Sequence, residues 1–344
     1  MKRVAVALSG GLDSSVTAFL LKKAGYDVVG LTGKMIDSES AEGVIDKAKQ
    51  VADFLGIKHY VLDASKEFQA NVIDYFNNSY KDGRTPNPCI MCNKLIKWGV
   101  LLDYAINELG VDYIATGHYA NIKRDNNYYK LYPAKDTKKD QLYFLFQLNQ
   151  AQLSKTLFPL YNYEKSEIRQ IAIENNLPTK SSKESQDICF IQKPMTTKKY
   201  LLKHLKTESG NFVDIETNKT LGTHNGYFQY TIGQRKGIGI AASEPLYVVK
   251  VDAKENIVYV GSKKQLEKSE LILDNFNFSY PIERKEFSAL CKIRYNMQAT
   301  EVVVNINQQQ TIIKFKTPVT GIATGQACVL YDINDGHLIG GGFI

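Results

Sequence analysis

Short apolar runs and amphipathic segments alternate along the first half of the chain. Buried strands are predicted for the apolar runs at residues 4–8, 27–32, 59–62 and 113–116. Helices are predicted for the segments 16–23, 41–55, 68–80, 94–109 and 165–176. Such alternation is typical of a doubly wound parallel sheet, in which ligands bind beyond the carboxyl ends of the strands. The predicted fold class is therefore α/β for this part.

The pattern changes beyond about Pro194, where short β-rich runs separated by turns take over. These runs lie at residues 227–232, 246–252, 257–261, 289–295, 301–306 and 311–315. No helix of comparable strength is predicted after residue 210. We therefore expect an α/β domain at 1–195, a β-rich central domain at 196–265 and a C-terminal antiparallel β-barrel at 266–344.

Length and composition agree with this division. A chain of 344 residues is too long for one typical hydrophobic core. No apolar run approaches the roughly 18 residues of a membrane-spanning helix, so no membrane partner is expected. Residues 1–3 lead directly into a strand and leave no room for a signal peptide, which favours a cytoplasmic location. Five cysteines, an odd number, argue for reactive or buried thiols rather than a disulfide scaffold.

Positive charge is concentrated in one segment. Residues 130–206 contain 14 Lys and Arg against 7 Asp and Glu, an excess equal to the net charge of +7 of the whole chain. A basic surface of this kind suits a polyanion. On charge alone, a solvated lysine-rich surface fits equally well.

The segment 9–15, S-G-G-L-D-S-S, follows the first predicted strand and leads into the first predicted helix. Its adjacent glycines allow a tight turn, and the free N–H groups and dipole of the helix start attract an anion such as phosphate. No lysine follows the glycines, so this is not the Walker A loop of P-loop NTPases. The remaining pattern is S-G-G-x-D-S.

Two further segments place cysteines in chemically suggestive surroundings. In residues 83–94, G-R-T-P-N-P-C-I-M-C-N-K, two prolines stiffen a loop that leads into a helix. Cys92 lies near that helix start, where the thiol pKa is expected to be lowered, and Arg84 and Lys94 are expected to act in the same direction. In residues 183–191, K-E-S-Q-D-I-C-F-I, Cys189 stands alone and by itself fits a buried core cysteine equally well.

Together, and in this order, the motifs resemble those of the tRNA-specific 2-thiouridylases of the MnmA family, which are PP-loop ATP pyrophosphatases. The resemblance covers nearly the whole chain and includes T-G-H-Y-A at 116–120, K-D-Q at 139–141, G-T-H at 222–224, Y-T-I-G-Q-R-K-G at 230–237, K-I-R-Y at 292–295 and G-Q-A at 325–327. It implies a PP-loop domain and 2-thiolation of the wobble uridine of tRNA. The implied route uses ATP and Mg²⁺, adenylates the uridine O2, transfers sulfur from a cysteine persulfide and releases AMP and pyrophosphate.

The resemblance also implies partners and residue roles. The partners are the anticodon arm of tRNA and a sulfur-relay protein or cysteine desulfurase. The catalytic residues are Cys92, the attacking thiol; Cys189, the persulfide carrier; and Asp13, which helps to organise magnesium and the phosphates. The residues of the ATP site are Ala7, Leu8, Ser9, Gly10, Gly11, Leu12, Asp13, Ser14, Gly33 and Gly117. The residues in contact with tRNA are Asn87, Pro88 and Cys89 at the target base, and His118, Lys139, Asp140, Gln141, Arg294, Tyr295 and Gln326 elsewhere.

The chain departs from the family pattern at two places. Many relatives have Asp where this chain has Cys89, so a C-x-x-C pair with Cys92 arises, and residues 32–35 differ from the usual segment beside Gly33. Cys89, Cys92 and Cys189 could hold an iron–sulfur cluster, whereas a structural zinc site would need a second close ligand pair. Two other functions fit parts of the sequence: a PP-loop adenylating enzyme acting on a small molecule, and a non-catalytic RNA-binding protein. Cys291 and Cys328 lie in apolar strands and are expected to be core residues.

Overall fold

A computed structural model describes residues 1–125, 127–182, 188–307 and 310–344. Its strands are β1 Arg3–Ala7, β2 Asp27–Lys34, β3 Lys58–Asp63, β4 Tyr113–Ala115, β5 Asn121–Asp125, β6 Tyr128–Tyr132, β7 Thr156–Leu157, β8 Ser209–Asp214, β9 Thr220–Asn225, β10 Tyr247–Asp252, β11 Ile257–Gly261, β12 Glu267–Leu273, β13 Phe276–Phe278, β14 Glu286–Lys292, β15 Thr300–Ile306, β16 Thr311–Thr320, β17 Ala327–Tyr331 and β18 Leu338–Phe343. Its α-helices are α1 Leu12–Lys23, α2 Glu39–Leu55, α3 Ser65–Phe68, α4 Asp74–Lys81, α5 Pro88–Met91, α6 Leu102–Asn107, α7 Gln150–Ser154, α8 Lys165–Glu174 and α9 Thr197–His204. Two π-helical segments, Gln69–Ile73 and Cys92–Leu101, join α3 to α4 and α5 to α6. Short 3₁₀ turns occupy Leu142–Phe144, Tyr227–Gln229 and Lys263–Leu266.

The N-terminal part is built on a parallel five-stranded sheet with the order β3-β2-β1-β4-β7. Its central strand β1 has no exposed surface at Val4, Ala5 and Val6, because core residues cover both faces of the sheet. The α/β fold predicted from the apolar runs is thus confirmed. Residues 121–132 form a β-hairpin, β5 and β6, that the apolar pattern did not predict.

The second half of the chain contains two further sheets. The central sheet has the order β10-β11-β8-β9 and is mixed, because β8 and β11 run parallel. The C-terminal sheet has seven antiparallel strands in the order β12-β16-β15-β14-β17-β18-β13 and curls into a half-barrel. Part of the segment predicted as a strand at 227–232 is instead the 3₁₀ turn at Tyr227–Gln229. Cys291 and Cys328 are fully buried in the C-terminal sheet, as predicted.

The half-barrel packs directly on the N-terminal domain. The hydroxyl of Tyr143 donates a hydrogen bond to the carbonyl of Ala327 at 2.9 Å and accepts one from its backbone N–H at 3.3 Å. Around this contact, Phe146 of the first domain and Val329 and Leu338 of the half-barrel belong to one hydrophobic cluster. The two domains therefore share a core. No helix within the described ranges is long and apolar enough to span a membrane.

Replacing Tyr143 with Phe is expected to lower the free energy of unfolding by about 1–3 kcal/mol, because both buried backbone groups of Ala327 lose a partner. Urea or thermal unfolding measures the change. Tyr128→Phe is the control, since the Tyr128 side chain is exposed. An equal effect of the two substitutions would contradict a special role of the buried hydroxyl.

Candidate active site

The loop between β1 and α1 has the backbone of an anion cradle. Gly10 adopts a φ of +66°, and Gly11 precedes the first turn of α1 in an extended conformation. The side chain of Ser14 folds back into the loop, where its Oγ accepts from the N–H of Ser9 and donates to the carbonyl of Gly11, both at 3.2 Å. Free N–H groups at the start of a helix then face the same space, which suits a phosphate.

Other predicted nucleotide-site residues surround this loop. Ala7 ends β1, while the side chains of Leu8 and Leu12 are buried in the core, so their contribution to a site comes from the backbone. Gly33 lies in β2, the neighbour of β1, and a Cβ atom there would lie 2.8 Å from the Met35 side chain and 3.1 Å from that of Leu101. The strand order thus brings the ends of β1, β2 and β4 together, as the parallel topology requires.

Gly117 follows β4 and packs against the start of α1. A Cβ atom on Gly117 would lie 2.9 Å from both the carbonyl carbon and the Cβ of Asp13, and 3.0 Å from the nitrogen of Ser14. Non-bonded carbon atoms do not approach one another this closely unless one of them is displaced. The absence of a side chain at residue 117 therefore lets the β4 loop close over the β1 loop.

Asp13 has two side-chain partners that the sequence did not predict. The Nζ of Lys165 lies 2.6 and 2.7 Å from the two carboxylate oxygens, and the hydroxyl of Tyr119 donates to Oδ1 at 3.1 Å. Lys165 is the first residue of α8, which packs against α1. An ion pair therefore joins the two helices at the candidate phosphate site, between residues 152 positions apart.

His118 lies in the core. Its ring contacts those of Trp98 and Phe158, with centroids 5.4 and 5.9 Å apart, and its Nδ1 is 2.7 Å from the hydroxyl of Thr116. Burial lowers the pKa of His118 well below its usual value, so the imidazole is neutral near pH 7. In this buried position, the His118 ring can support the Gly117 loop. The predicted contact of His118 with tRNA stays a prediction.

Hydrogen bonds connect residues 139–141 to neighbouring residues of their loop and to Tyr119. The carboxylate of Asp140 accepts from the backbone N–H groups of Ala134 and Leu142, each at 3.2 Å. Burial raises the pKa of Asp140 to about 6. Gln141 binds the backbone of Tyr119 twice, accepting through Oε1 and donating through its own N–H, each at 3.0 Å. The backbone N–H of Lys139 donates to the carbonyl of Asp136.

The loop before Cys92 is held by both of the other domains. The N–H of Thr85 donates to the carbonyl of Thr324 at 2.7 Å, and the amide of Gln326 donates to the carbonyl of Thr85 at 2.8 Å. The Thr85 hydroxyl lies 3.1 Å from that of Thr231 in the central part of the chain. One residue of this loop thus contacts the half-barrel and the central domain together.

The other predicted tRNA residues lie beside this junction or in the cysteine loop. Arg294 is exposed and donates to the carbonyl of Thr320 at 3.2 Å, while the ring of Tyr295 packs 4.5 Å from that of Phe144. In the loop, Asn87 Oδ1 accepts from the N–H of Cys89 at 3.2 Å and caps α5, whose first residue is Pro88. Pro88 is buried and Cys89 is exposed.

The fold brings Cys189 to Cys92, although 97 residues separate them in sequence. Cys92 packs against a cluster that includes Phe68, and Phe190 packs edge-on against the same Phe68 with ring centroids 6.0 Å apart. The thiols are close enough that a negative charge on Cys189 or Cys89 raises the pKa of Cys92. Residues 183–187 of the predicted cysteine motif lie outside the described residues.

The predicted low pKa of Cys92 is wrong, because burial of the thiol raises its pKa to about 12. Burial also raises the pKa of Cys89 and of Cys189, although both residues have exposed surface. Neither expected cation acts on Cys92: Arg84 pairs with Asp82, and Lys94 donates to the side chain of Gln147.

The cation that opposes this effect of burial is Lys97, which lowers the pKa of all three thiols. Cys92 begins a π-helical segment, in which residues five apart lie one turn above each other. Lys97 therefore takes the place that residue 96 would occupy in an α-helix. An α-helical interpretation of this segment could not identify it.

Within the described part of the chain, one group of three possible ligand residues has its ligand atoms within 4.8 Å of one another. It consists of Asp332, Asp335 and His337, and the three thiols near Cys92 do not form such a group. Both ring nitrogens of His337 already have partners, Asp335 at 2.5 Å and the hydroxyl of Tyr280 at 2.6 Å. This arrangement gives no support to a zinc site at the C-x-x-C pair.

Comparisons with known proteins agree along the whole chain. Three family models match consecutive regions: a tRNA methyl transferase HUP domain at residues 2–193, a tRNA methyl transferase PRC-barrel domain at 198–262 and an aminomethyltransferase beta-barrel domain at 268–344. The tRNA-specific 2-thiouridylase MnmA 2 of Thermoanaerobacter sp. strain X514 is 45% identical over 99% of this chain and 97% of its own. The tRNA-specific 2-thiouridylase MnmA of Gloeothece citriformis is 44% identical over 100% and 99%.

Among solved structures, the U34-tRNA thiolase NcsA from Methanococcus maripaludis with its 4Fe-4S cluster is 20% identical to this chain. The match covers 54% of this chain and 60% of that protein, with a TM-score of 0.37. A similarity of this extent says nothing about a cluster in this chain.

Gly117→Ala is expected to weaken ATP binding by about 10- to 100-fold, because the added methyl group must displace the start of α1. Isothermal titration calorimetry measures the dissociation constant. Gly43→Ala is the control, since a Cβ atom there meets no other atom within 4 Å. Unchanged binding by the Gly117 variant would contradict the placement of ATP beside this loop.

Lys97→Met is expected to raise the pKa of Cys92 further, because the opposing positive charge is lost. A thiol with a higher pKa is less ionised at any given pH, so alkylation of Cys92 by iodoacetamide should require a higher pH. Mass spectrometry of the digested protein reports each cysteine separately. Lys94→Met is the matched control and should leave the profile of Cys92 in place; an identical shift in both variants would contradict the assignment to Lys97.

Proposed function

Because this chain belongs to the MnmA family of tRNA-specific 2-thiouridylases, we propose that it converts the wobble uridine of tRNA, position 34, to 2-thiouridine with sulfur carried on Cys189. The family reaction is 2-thiolation of tRNA uridine by an ATP-using PP-loop sulfurtransferase. The observation that carries the finer proposal is the approach of Cys189 to Cys92 across 97 residues of sequence. A small-molecule adenylating enzyme or a non-catalytic RNA-binding protein has no need of this pair.

The first step activates the uridine, because oxide does not leave a pyrimidine ring near neutral pH. O2 of the uridine attacks the α-phosphorus of ATP, an O–P bond forms, and pyrophosphate departs. The turn at Gly10 and Gly11 and the start of α1 hold the phosphates through backbone N–H groups. Carboxylate oxygens are ligands that Mg²⁺ prefers, so Asp13 is the residue that would hold it there.

The second step delivers sulfur. In one route, the terminal sulfur of the Cys189 persulfide attacks C2 and AMP leaves; Cys92 then attacks the inner sulfur, releasing 2-thiouridine and forming a Cys92–Cys189 disulfide. In the other route, Cys92 first attacks the inner sulfur of the Cys189 persulfide, which forms the disulfide and releases hydrosulfide. The hydrosulfide then attacks C2, and AMP leaves. Both routes end in the same disulfide. A dithiol reductant supplies two electrons and two protons to reopen it.

The tRNA substrate and the sulfur-donor protein bind to different surfaces in the proposed reaction. The wobble base must be splayed out of the anticodon loop before its C2 atom can react inside a protein. Arg294 and Gln326, beside the Thr85 loop, and the basic segment 130–206 are the surfaces proposed to grip the anticodon arm. The exposed Cys189 is open to a sulfur-relay protein or cysteine desulfurase, which we place with this enzyme in the cytoplasm.

The proximity of Cys89, Cys92 and Cys189 also supports a second candidate, in which the three thiols hold an iron–sulfur cluster. Among the described residues the three sulfurs are not within the 4.8 Å of one another that a single metal ion requires, so only a cluster with several irons could join them. The persulfide route needs only Cys92 and Cys189 to meet, so the two candidates differ in what they require of Cys89.

Cys92→Ser and Cys189→Ser are expected to abolish thiolation, because each removes a sulfur that the route requires, while Cys89→Ser should reduce it only in part. Unmodified tRNA, ATP, Mg²⁺ and a sulfur donor are incubated with each variant, and the digested nucleosides are analysed by mass spectrometry. All three variants should still bind ATP, which serves as the control for folding.

The assay is repeated with protein prepared with and without air. Production of 2-thiouridine and AMP by aerobic, iron-free protein supports the persulfide route. Activity confined to anaerobic, iron-loaded protein, together with an inactive Cys89→Ser variant, would replace it with the cluster. No thiouridine under either condition would overturn the proposed function.

A further inference from the structure

The ion pair between Lys165 and Asp13 lies at the phosphate loop itself. Lys165 Nζ bridges both oxygens of a carboxylate in the first turn of α1, the turn whose N–H groups face the anion space. The two side chains are 17% and 31% exposed, so both remain partly accessible to solvent and to a ligand. The position of the Lys165 cation at this loop calls for a functional explanation.

The phosphate loop contains no lysine of its own. The Walker A loop places a lysine directly after its glycines, where it neutralises the β- and γ-phosphates. Here the residues after Gly10 and Gly11 are Leu12 and Asp13, and the carboxylate repels the phosphates unless a cation accompanies it. Lys165 brings such a cation to the loop from a distant part of the sequence.

The start of α8 does not depend on the Lys165 side chain. Glu164 and Glu167 form a capping box there, and the backbone N–H of Lys165 donates to Asp136 at 3.0 Å. The backbone of Lys165 is therefore fixed, while its flexible four-carbon side chain can turn from one oxygen ligand to another. Tyr119 remains as a hydrogen-bond donor to Asp13 when Lys165 leaves.

We propose that Lys165 is a nucleotide-binding residue that contacts the β- and γ-phosphates of ATP and holds the pyrophosphate leaving group. The proposal rests on the proposed function and assigns a residue of the same site. Without nucleotide, Lys165 neutralises Asp13. When ATP binds, Asp13 would be the residue that holds its divalent cation, and the Nζ of Lys165 moves to phosphate oxygens.

The test compares ligands that differ in the phosphates they carry. Lys165→Met should weaken binding of ATP and of pyrophosphate by about 10- to 100-fold, the range for a lost hydrogen bond to a charged group, and leave AMP binding within about twofold. Lys165→Arg, which keeps the charge, should recover most of the loss. Lys135→Met is the matched control, because Lys135 pairs with Glu167 on the outside of the same helix.

A double-mutant cycle separates this function from simple neutralisation of Asp13. In an Asp13→Asn background there is no carboxylate to neutralise, so a merely structural lysine would lose its effect. The proposal instead expects Lys165→Met to weaken pyrophosphate binding further in that background. No further loss, or an equal loss for AMP and pyrophosphate, would overturn the proposal.

Binding is measured without tRNA, so the two hypotheses can fail separately. A wild-type protein that binds ATP through Lys165 but makes no 2-thiouridine would overturn only the proposed function. A Lys165→Met variant that binds pyrophosphate as tightly as the wild type would overturn only the assignment of Lys165.

Discussion

The position of the loop that leads to Cys92 depends on the hydrogen bonds of Thr85. Its backbone is bound on one side by Thr324 and Gln326 of the half-barrel, and its hydroxyl meets Thr231 of the central domain. A proline-rich loop with fixed ends is stiff, and the helix that carries Cys92 begins three residues later at Pro88. The geometry around Cys92 is therefore a property of three domains, and the parallel sheet alone does not fix it.

The active site contains two ionisable centres that the fold treats in opposite ways. Asp13 has a lysine as an ion-pair partner, whereas Cys92 is surrounded by apolar side chains that raise its pKa and favour the neutral thiol. Both arrangements suit an enzyme without substrate. In the proposed complex, a divalent cation would replace Lys165 at Asp13, Lys165 would bind the phosphates, and the adenylated base would change the surroundings of Cys92. The charges needed for the reaction thus belong to the complex more than to the free protein.

Features that depend on residues close together in sequence could be predicted from the sequence. Apolar runs identified four of the five strands of the N-terminal sheet, and the adjacent glycines after β1 indicated a turn, in which Gly10 has a positive φ. The β5–β6 hairpin was missed because its residues, N-I-K-R-D and Y-Y-K-L-Y, are mostly polar or aromatic and flank a short turn rather than a buried run. Lys165 was missed because a lysine at a helix start normally faces solvent, and its partner is 152 residues away. The pKa of Cys92 was mispredicted because proximity to a helix start lowers a thiol pKa, while tertiary burial raises it by more.

The contrast between Cys92 and Cys189 follows from the chemistry proposed for them. A persulfide donor is another protein, so the carrier thiol must be exposed, as Cys189 is. An exposed and ionised Cys92 beside Cys189 would attack the inner sulfur of the loaded persulfide, expel hydrosulfide and form the disulfide before any uridine had been activated. Since thiolate is the attacking form, burial that raises the pKa of Cys92 to about 12 lowers the fraction of this thiol that can attack. In the proposed reaction, burial of one thiol beside an exposed one therefore favours one order of events: sulfur is loaded on Cys189 first, and Cys92 attacks only after the substrate has altered its surroundings.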